Sequence, residues 1–272
     1  MSVLEAQSLS IRFGGVQANR EVSVKIDEHE IVGIIGPNGA GKTTLFNMLT
    51  GFYTPNKGRV RFKGRDITGL PVHERAALGL GRTFQNVGLV KGATVRENLV
   101  TAQHLQAEYS TIGGMLGSPT SRRSERELRA RADALADVLA LGDLLDTQVA
   151  GLPYGVLKRV EIATVLATDP EVLLLDEPSS GMGPEEAHRL GDTLLELRRT
   201  FGLSIAMIEH HVPLVVRVCD YVYCLDFGEL LVEGPPDYVR NHRLVVAAYL
   251  GEDPDPTAVA LEQQLEALVE SD

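Results

Sequence analysis

The chain has 272 residues, room for one large domain or two small ones, and its 44% hydrophobic and 23% charged residues exclude a disordered chain or a disulfide scaffold. Its formal net charge of -11 argues against a nucleic-acid partner or a basic lipid-binding surface, since both need excess Lys and Arg. The longest apolar runs, 31–35, 172–175 and 203–208, fall far short of the ~20 residues that span a bilayer, and Glu5 and Gln7 interrupt any leader pattern, so the expected compartment is the cytosol.

In chain order, Val22, Val24 and Ile26 alternate as one apolar face of a strand, and 31–35 reads as a strand buried on both faces. A glycine-rich turn follows, then a helix ending near Gly51. From 94 to 105 and from 124 to 141 the period becomes helical, with Leu128, Leu135 and Leu139 apolar and Arg122, Arg123, Arg126, Arg129 and Arg131 on a solvated side. Between them the Gly-, Ser- and Pro-rich stretch 112–120 reads as the least structured internal segment. Strand and helix then alternate: a strand at 172–175, a helix from Pro184 with Glu185 and Glu186 in its first turn, a strand at 203–208, a helix from Pro213 and a strand at 221–225. Such alternation predicts a parallel sheet covered by helices, with a helical subdomain set into that α/β frame.

Cys219 and Cys224 have no Cys or His neighbours at ligand spacing and read as plain thiols. From Glu252 onward the tail carries seven acids and no base, with Ala258, Leu261, Leu265 and Leu268 on one helical face. That pattern suits either a short docking helix or a fraying acidic terminus.

The chemistry begins at Gly36-Pro37-Asn38-Gly39-Ala40-Gly41-Lys42-Thr43, a P-loop between a buried strand and a helix. Glycines let backbone NH groups turn inward around phosphate oxygens, and the helix dipole favours the negative charge. Lys42 reaches the β- and γ-phosphates, Thr43 offers its hydroxyl to Mg²⁺, and Thr44 completes the nucleotide-binding run. A phosphate cradle alone fits a kinase, a GTPase or a motor. The second acidic site narrows this: Asp176 and Glu177 end a buried strand at its carboxyl end, where open α/β sheets bind ligands. Asp176 suits the Mg²⁺ shell and Glu177 suits polarising the attacking water.

With these elements in this order, the sequence resembles the ABC-transporter ATPases over nearly its whole length. The resemblance implies a P-loop ABC ATPase fold with a RecA-like core, an antiparallel β subdomain and an inserted α-helical subdomain at about 90–168, all within a nucleotide-binding domain at 1–251. It implies ATP and Mg²⁺ as cofactors, Phe13 stacking on adenine, Gln85 sensing Mg²⁺ and the γ-phosphate, and His210 as the switch histidine that positions the water. The signature lies at 152–159, where only Leu152 and Gly155 match the family's Leu-Ser-Gly-Gly-Gln. Family members pair head to tail, so Gly155 would face the ATP of a second ATPase subunit.

Two departures bear on that pairing. Pro153 replaces the signature serine and offers neither hydroxyl nor NH, leaving Tyr154, Lys158 or the NH of Gly155 to replace it. Gly183 stands where the family usually has an acid. These departures suggest a complex with a different ATPase subunit and unequal sites.

The stretches 31–52, 66–71, 81–86, 222–228 and 248–251 resemble most the ATPases of high-affinity branched-chain amino-acid importers. This implies two transmembrane permease subunits and an extracytoplasmic solute-binding protein as partners, with the chain held at the cytoplasmic face of the membrane. A groove between Gln85 and the helical subdomain, with Val87 and Leu89 on it, would receive a short helix of a membrane subunit. Importers of urea, amides or aromatic acids share much of this wording, and a lipid or polysaccharide exporter is the next reading.

Overall fold

The computed structural model describes residues 1–83, 88–104 and 119–250. Strands β1 (Ser2–Phe13), β2 (Val16–Asp27), β4 (Lys57–Phe62) and β5 (Arg65–Asp66) form an antiparallel sheet in the order β2-β1-β4-β5. In β2 the alternation puts Val22, Val24 and Ile26 inside and leaves Glu21, Ser23 and Lys25 in solvent. A second, six-stranded sheet runs β10 (Glu229–Gly234), β9 (Tyr221–Asp226), β3 (Ile31–Ile35), β8 (Ser204–Ile208), β7 (Val172–Asp176), β6 (Leu80–Arg82). Its strands are parallel except for the β9-β10 hairpin.

Every residue of β3, β7 and β8 is buried, the reason these strands read as unbroken apolar runs. Their alternate side chains serve two cores. Ile31, Leu173, Leu175, Ile205 and Met207 pack against the helices on one face. Val32, Ile34, Val172, Leu174, Ala206 and Ile208 pack on the other against helix α1 (Lys42–Thr50) and the antiparallel sheet. Each strand is therefore covered on both sides.

Helix α2 (Val72–Ala77) supplies a structural arginine that periodicity does not reveal. Arg75 is buried and donates to the carbonyls of Met48, Leu49, Thr68 and Leu70 at 2.7 to 2.9 Å. It thereby satisfies carbonyls at the end of α1, where Gly51 turns the chain at φ 85°. Burial lowers its pKa to about 10.

Helices α3 (Val95–His104), α4 (Pro119–Val138) and α5 (Tyr154–Leu166) pack Val95, Leu99, Ala132, Leu135, Ala136, Val160 and Ile162 into the same core as the large sheet, joined by Leu139 just past α4. Helix α4 starts at Pro119, ahead of the expected 124 and inside the stretch read as unstructured. Proline at the first helical position costs no hydrogen bond. Arg126, Arg129 and Arg131 are exposed, and Arg131 pairs with Asp169 at 2.7 Å. Helices α6 (Pro184–Phe201), α7 (Val212–Val218), α8 (Pro236–Asn241) and α9 (Arg243–Leu250) complete the cover. Cys219 and Cys224 are buried free thiols in the core, and the acidic tail falls outside the described residues.

Candidate nucleotide site

The carboxyl ends of β3, β7 and β8 converge, and each delivers one part of the site. After β3 the loop from Gly36 to Gly41 is held by backbone on several sides. At Gly36 (φ 139°) an added Cβ would lie 2.0 Å from the Leu225 carbonyl, and at Gly41 (φ 92°) 2.5 Å from that of Ala18. Neither position admits a side chain. The NH of Gly228, in the β9-β10 turn, donates to Ala40 at 3.2 Å. The NH of Gly36 donates to the Tyr249 hydroxyl at 2.9 Å, so α9 also braces the loop.

Lys42 opens α1 and is 6% exposed. Its Nζ donates to the carbonyls of Gly36 at 2.7 Å and Pro37 at 2.8 Å, which sets the ammonium inside the ring of the loop. Burial lowers its pKa while the nearby Glu177 and Asp176 carboxylates oppose that shift. Asn38, Gly39 and Thr43 are exposed and Pro37 and Thr44 half-buried, so the loop's outer rim is accessible.

After β7, Asp176 is buried: its Oδ2 accepts from Arg82 at 2.9 Å, whereas its Oδ1 has no hydrogen-bond partner among the described residues. Glu177 takes the left-handed conformation (φ 49°) that an L side chain rarely adopts. Its NH donates to Ile208 at 3.0 Å, and its Oε1 lies 3.2 Å from His210 Nε2. The acid and the histidine singled out in the sequence, 33 positions apart, therefore meet. Both line a cavity of about 320 Å³ with Ser179, Glu209 and His211.

Glu209 is a residue that sequence reasoning passed over. It is 2% exposed and accepts from the backbone NH groups of Ser179 at 2.8 Å, His210 at 3.0 Å and His211 at 3.3 Å. One carboxylate thus ties the loop after β7 to the loop after β8. The available signal was an acid placed directly after a wholly apolar strand.

Phe13, at the end of β1, is 44% exposed and meets Tyr53 edge-on, with ring centroids 5.0 Å apart. Tyr53 carried no signal in the sequence. Gln85 and Val87 lie outside the described residues, and Leu89 is half-buried against the main core.

At the other candidate anion end, α5, Pro153 caps the helix without a side-chain hydrogen bond. The NH groups of Val156 and Leu157 turn back onto its carbonyl, both at 3.0 Å. Lys158 drops out as a substitute for the absent serine: it is 2% exposed and paired with Glu161 at 3.3 Å. Tyr154 remains exposed. Gly155 lines a different cavity with Arg159, Glu186 and Arg189, to which no P-loop residue contributes. At Gly183 the NH donates to the Glu186 carboxylate at 3.3 Å, half of a capping arrangement for α6.

The family model for ABC transporters matches residues 19–180, which takes in the loop at Gly36 and the Asp176-Glu177 pair. The chain belongs to the ABC transporter family. The high-affinity branched-chain amino acid transport ATP-binding protein LivG of Salmonella typhimurium is 42% identical over 250 residues, covering 92% of this chain and 98% of that protein. BraF of Pseudomonas aeruginosa, described in the same words, is 41% identical with the same coverage. The crystal structure of the ADP conformation of an ATP-binding cassette of an ABC transporter matches with TM-score 0.81 and 32% identity, over 93% of this chain and 100% of that one. As an ABC ATPase, the chain binds nucleotide and hydrolyses ATP. Among the described residues no helix is long and apolar enough to cross a membrane.

Proposed function

We propose that this ABC ATPase energises the import of branched-chain or related amino acids. The observation that carries the catalytic part is the meeting of Glu177 and His210 at the sheet edge that also presents Lys42. The cargo class follows from relatives that align over more than nine tenths of this chain and of their own length.

In this reading the residues of 36–41, through those backbone NH groups not already bonded within the protein, bind the ATP phosphates together with Lys42 Nζ, Thr43 and Thr44, and Phe13 stacks on the adenine. Lys42 leaves its two carbonyl acceptors for the β- and γ-phosphates, a favourable exchange because charge-assisted bonds to phosphate are the stronger ones. Asp176, Thr43 and Gln85 hold Mg²⁺. The residues present suit that ion: the unpartnered, buried Oδ1 of Asp176 is a carboxylate oxygen lacking the partner it needs, and hard oxygen donors are what Mg²⁺ takes. When bound, Mg²⁺ neutralises charge on the phosphates. Glu177 orients and polarises the attacking water, and its strained backbone is held by the bond to Ile208. His210, 3.2 Å from that carboxylate, keeps the Glu177 side chain directed and contacts the γ-phosphate. The amino end of α5 at Gly155 faces the ATP of a second ATPase subunit, and two permease subunits with a solute-binding protein complete the transporter at the cytoplasmic face of the membrane.

The test is reconstitution with the permease pair, the partner ATPase and the binding protein. Uptake of labelled leucine or isoleucine that is driven by ATP and lost in Glu177→Gln is expected. Uptake of urea or an aromatic acid in place of leucine would overturn the cargo, and outward movement of a lipid would overturn import itself.

A further inference from the structure

Strands β6 and β7 pair in parallel with Arg82 opposite Leu174. Side chains two residues apart share a face, so Arg82 and Asp176 emerge on the same side of the sheet, over α1. The Arg82 side chain is 6% exposed and that of Asp176 2%. One guanidinium nitrogen, Nη2, donates to Asp176 Oδ2 at 2.9 Å. The other, Nη1, donates to Asn47 Oδ1 at 2.7 Å and Thr50 Oγ1 at 3.1 Å, both on α1. Thr50 Oγ1 itself donates to Phe46 O at 2.7 Å, which leaves its lone pairs for the arginine. The guanidinium carbon lies 5.6 Å from the Phe46 ring and 5.9 Å from that of Phe52. The arginine is thus oriented by two hydrogen-bonding side chains and two rings on one side and grips a carboxylate on the other. On the backbone of the same residue, Asp176 NH donates to Thr83 Oγ1 at 3.2 Å.

We propose that Arg82 is the positioning residue of the Mg²⁺ site: it takes Oδ2 of Asp176 and so fixes Oδ1 as the oxygen offered to the ion. This rests on the metal-site reading given above. A free carboxylate can rotate or chelate through both oxygens. Held by a fork anchored on α1, the very helix that begins with Lys42 and Thr43, it offers one oxygen in one orientation. Lysine cannot reproduce that fork, since a single ammonium has no planar pair of nitrogens to address α1 and the carboxylate at once. The pairing also compensates the charge of a buried carboxylate.

The experiment uses the full chain and a fluorescent ATP analogue, titrated with Mg²⁺ after binding is measured in EDTA. For Arg82→Lys and Arg82→Gln, metal-free binding is expected to stay within about twofold of the parent, while the Mg²⁺ concentration for half-maximal enhancement rises about tenfold. In the Asp176→Asn background the arginine change should add nothing further. The proposal is overturned if the Mg²⁺ half-point does not move, if metal-free binding and thermal stability fall in its place, or if the two changes add independently. Where Arg82→Gln does not fold, Arg82→Lys alone decides. A parent that binds nucleotide with no response to Mg²⁺ would instead remove the metal-site reading, and this inference with it.

Discussion

The amino ends of helices α1 and α5 are the two helix ends proposed to meet phosphate, yet they are built differently. The end of α1 follows a glycine loop with two positions that tolerate no Cβ, and an ammonium sits within that loop. The end of α5 is capped by a proline, and its nearby lysine is committed to Glu161. Backbone dipoles are common to both; an ammonium held within a glycine loop belongs to α1 alone. Under the proposed function the first end holds the polyphosphate and the second only adds to a phosphate held by a different subunit, and the difference in construction is the one that division of labour calls for.

The most direct way to break that contrast is Lys42→Ala, which leaves α1 with dipoles only. Turnover, followed by phosphate release, should fall by about 10²–10³, as for loss of one preorganised donor. Near-normal activity would mean that α1 does not hold the phosphates. Glu177→Gln should lower hydrolysis by about 10² and leave ATP binding intact, so that nucleotide-bound dimers accumulate; parental turnover in that variant would remove Glu177 as the base.

Pro153→Ser sharpens the comparison from the α5 side. A hydroxyl there supplies a missing donor, and turnover of the assembled transporter should rise by up to about tenfold. No rise would indicate that Tyr154 or the Gly155 NH already makes the contact. Disabling the catalytic glutamate in one ATPase subunit at a time should likewise give unequal losses, and equal losses would end the idea of two unlike sites. The smallest effect is expected of Tyr249→Phe, which removes the acceptor for the Gly36 NH. Its ATP affinity should weaken by about threefold to tenfold with turnover at saturation little changed. An unaltered binding isotherm would show that α9 does not support the loop.

Much of this was legible in the sequence for identifiable reasons. Strands buried on both faces give runs such as 31–35 and 172–175, Pro184 marks a helix start, and the phosphate loop has a fixed spacing. Glu177 and His210 were legible as candidates, though their 3.2 Å approach depends on β7 and β8 being neighbours. Arg75, Arg82 and Glu209 were not legible, because arginine and glutamate read as surface residues by default. Each is buried here by partners far along the chain or on the backbone: Arg82 reaches Asp176 94 positions away, and Arg75 is held wholly by carbonyls. Lys158 misled in the same way, since nothing local indicates that it turns inward to Glu161. Phe13 fits either a core residue or a stacking ring by type alone, and only the fold places it half-exposed against Tyr53.

The bond from Gly36 NH to the Tyr249 hydroxyl spans 213 positions, and it sets an order of events during synthesis. A ribosome adding about 5–20 residues per second places Tyr249 some ten to forty seconds after Gly36. Through that interval the residues of the phosphate loop are already made, but the hydroxyl that accepts from its first NH is not. A nascent chain arrested before 249 therefore carries the complete motif with one brace of its loop missing, and it is expected to bind nucleotide more weakly than the finished chain.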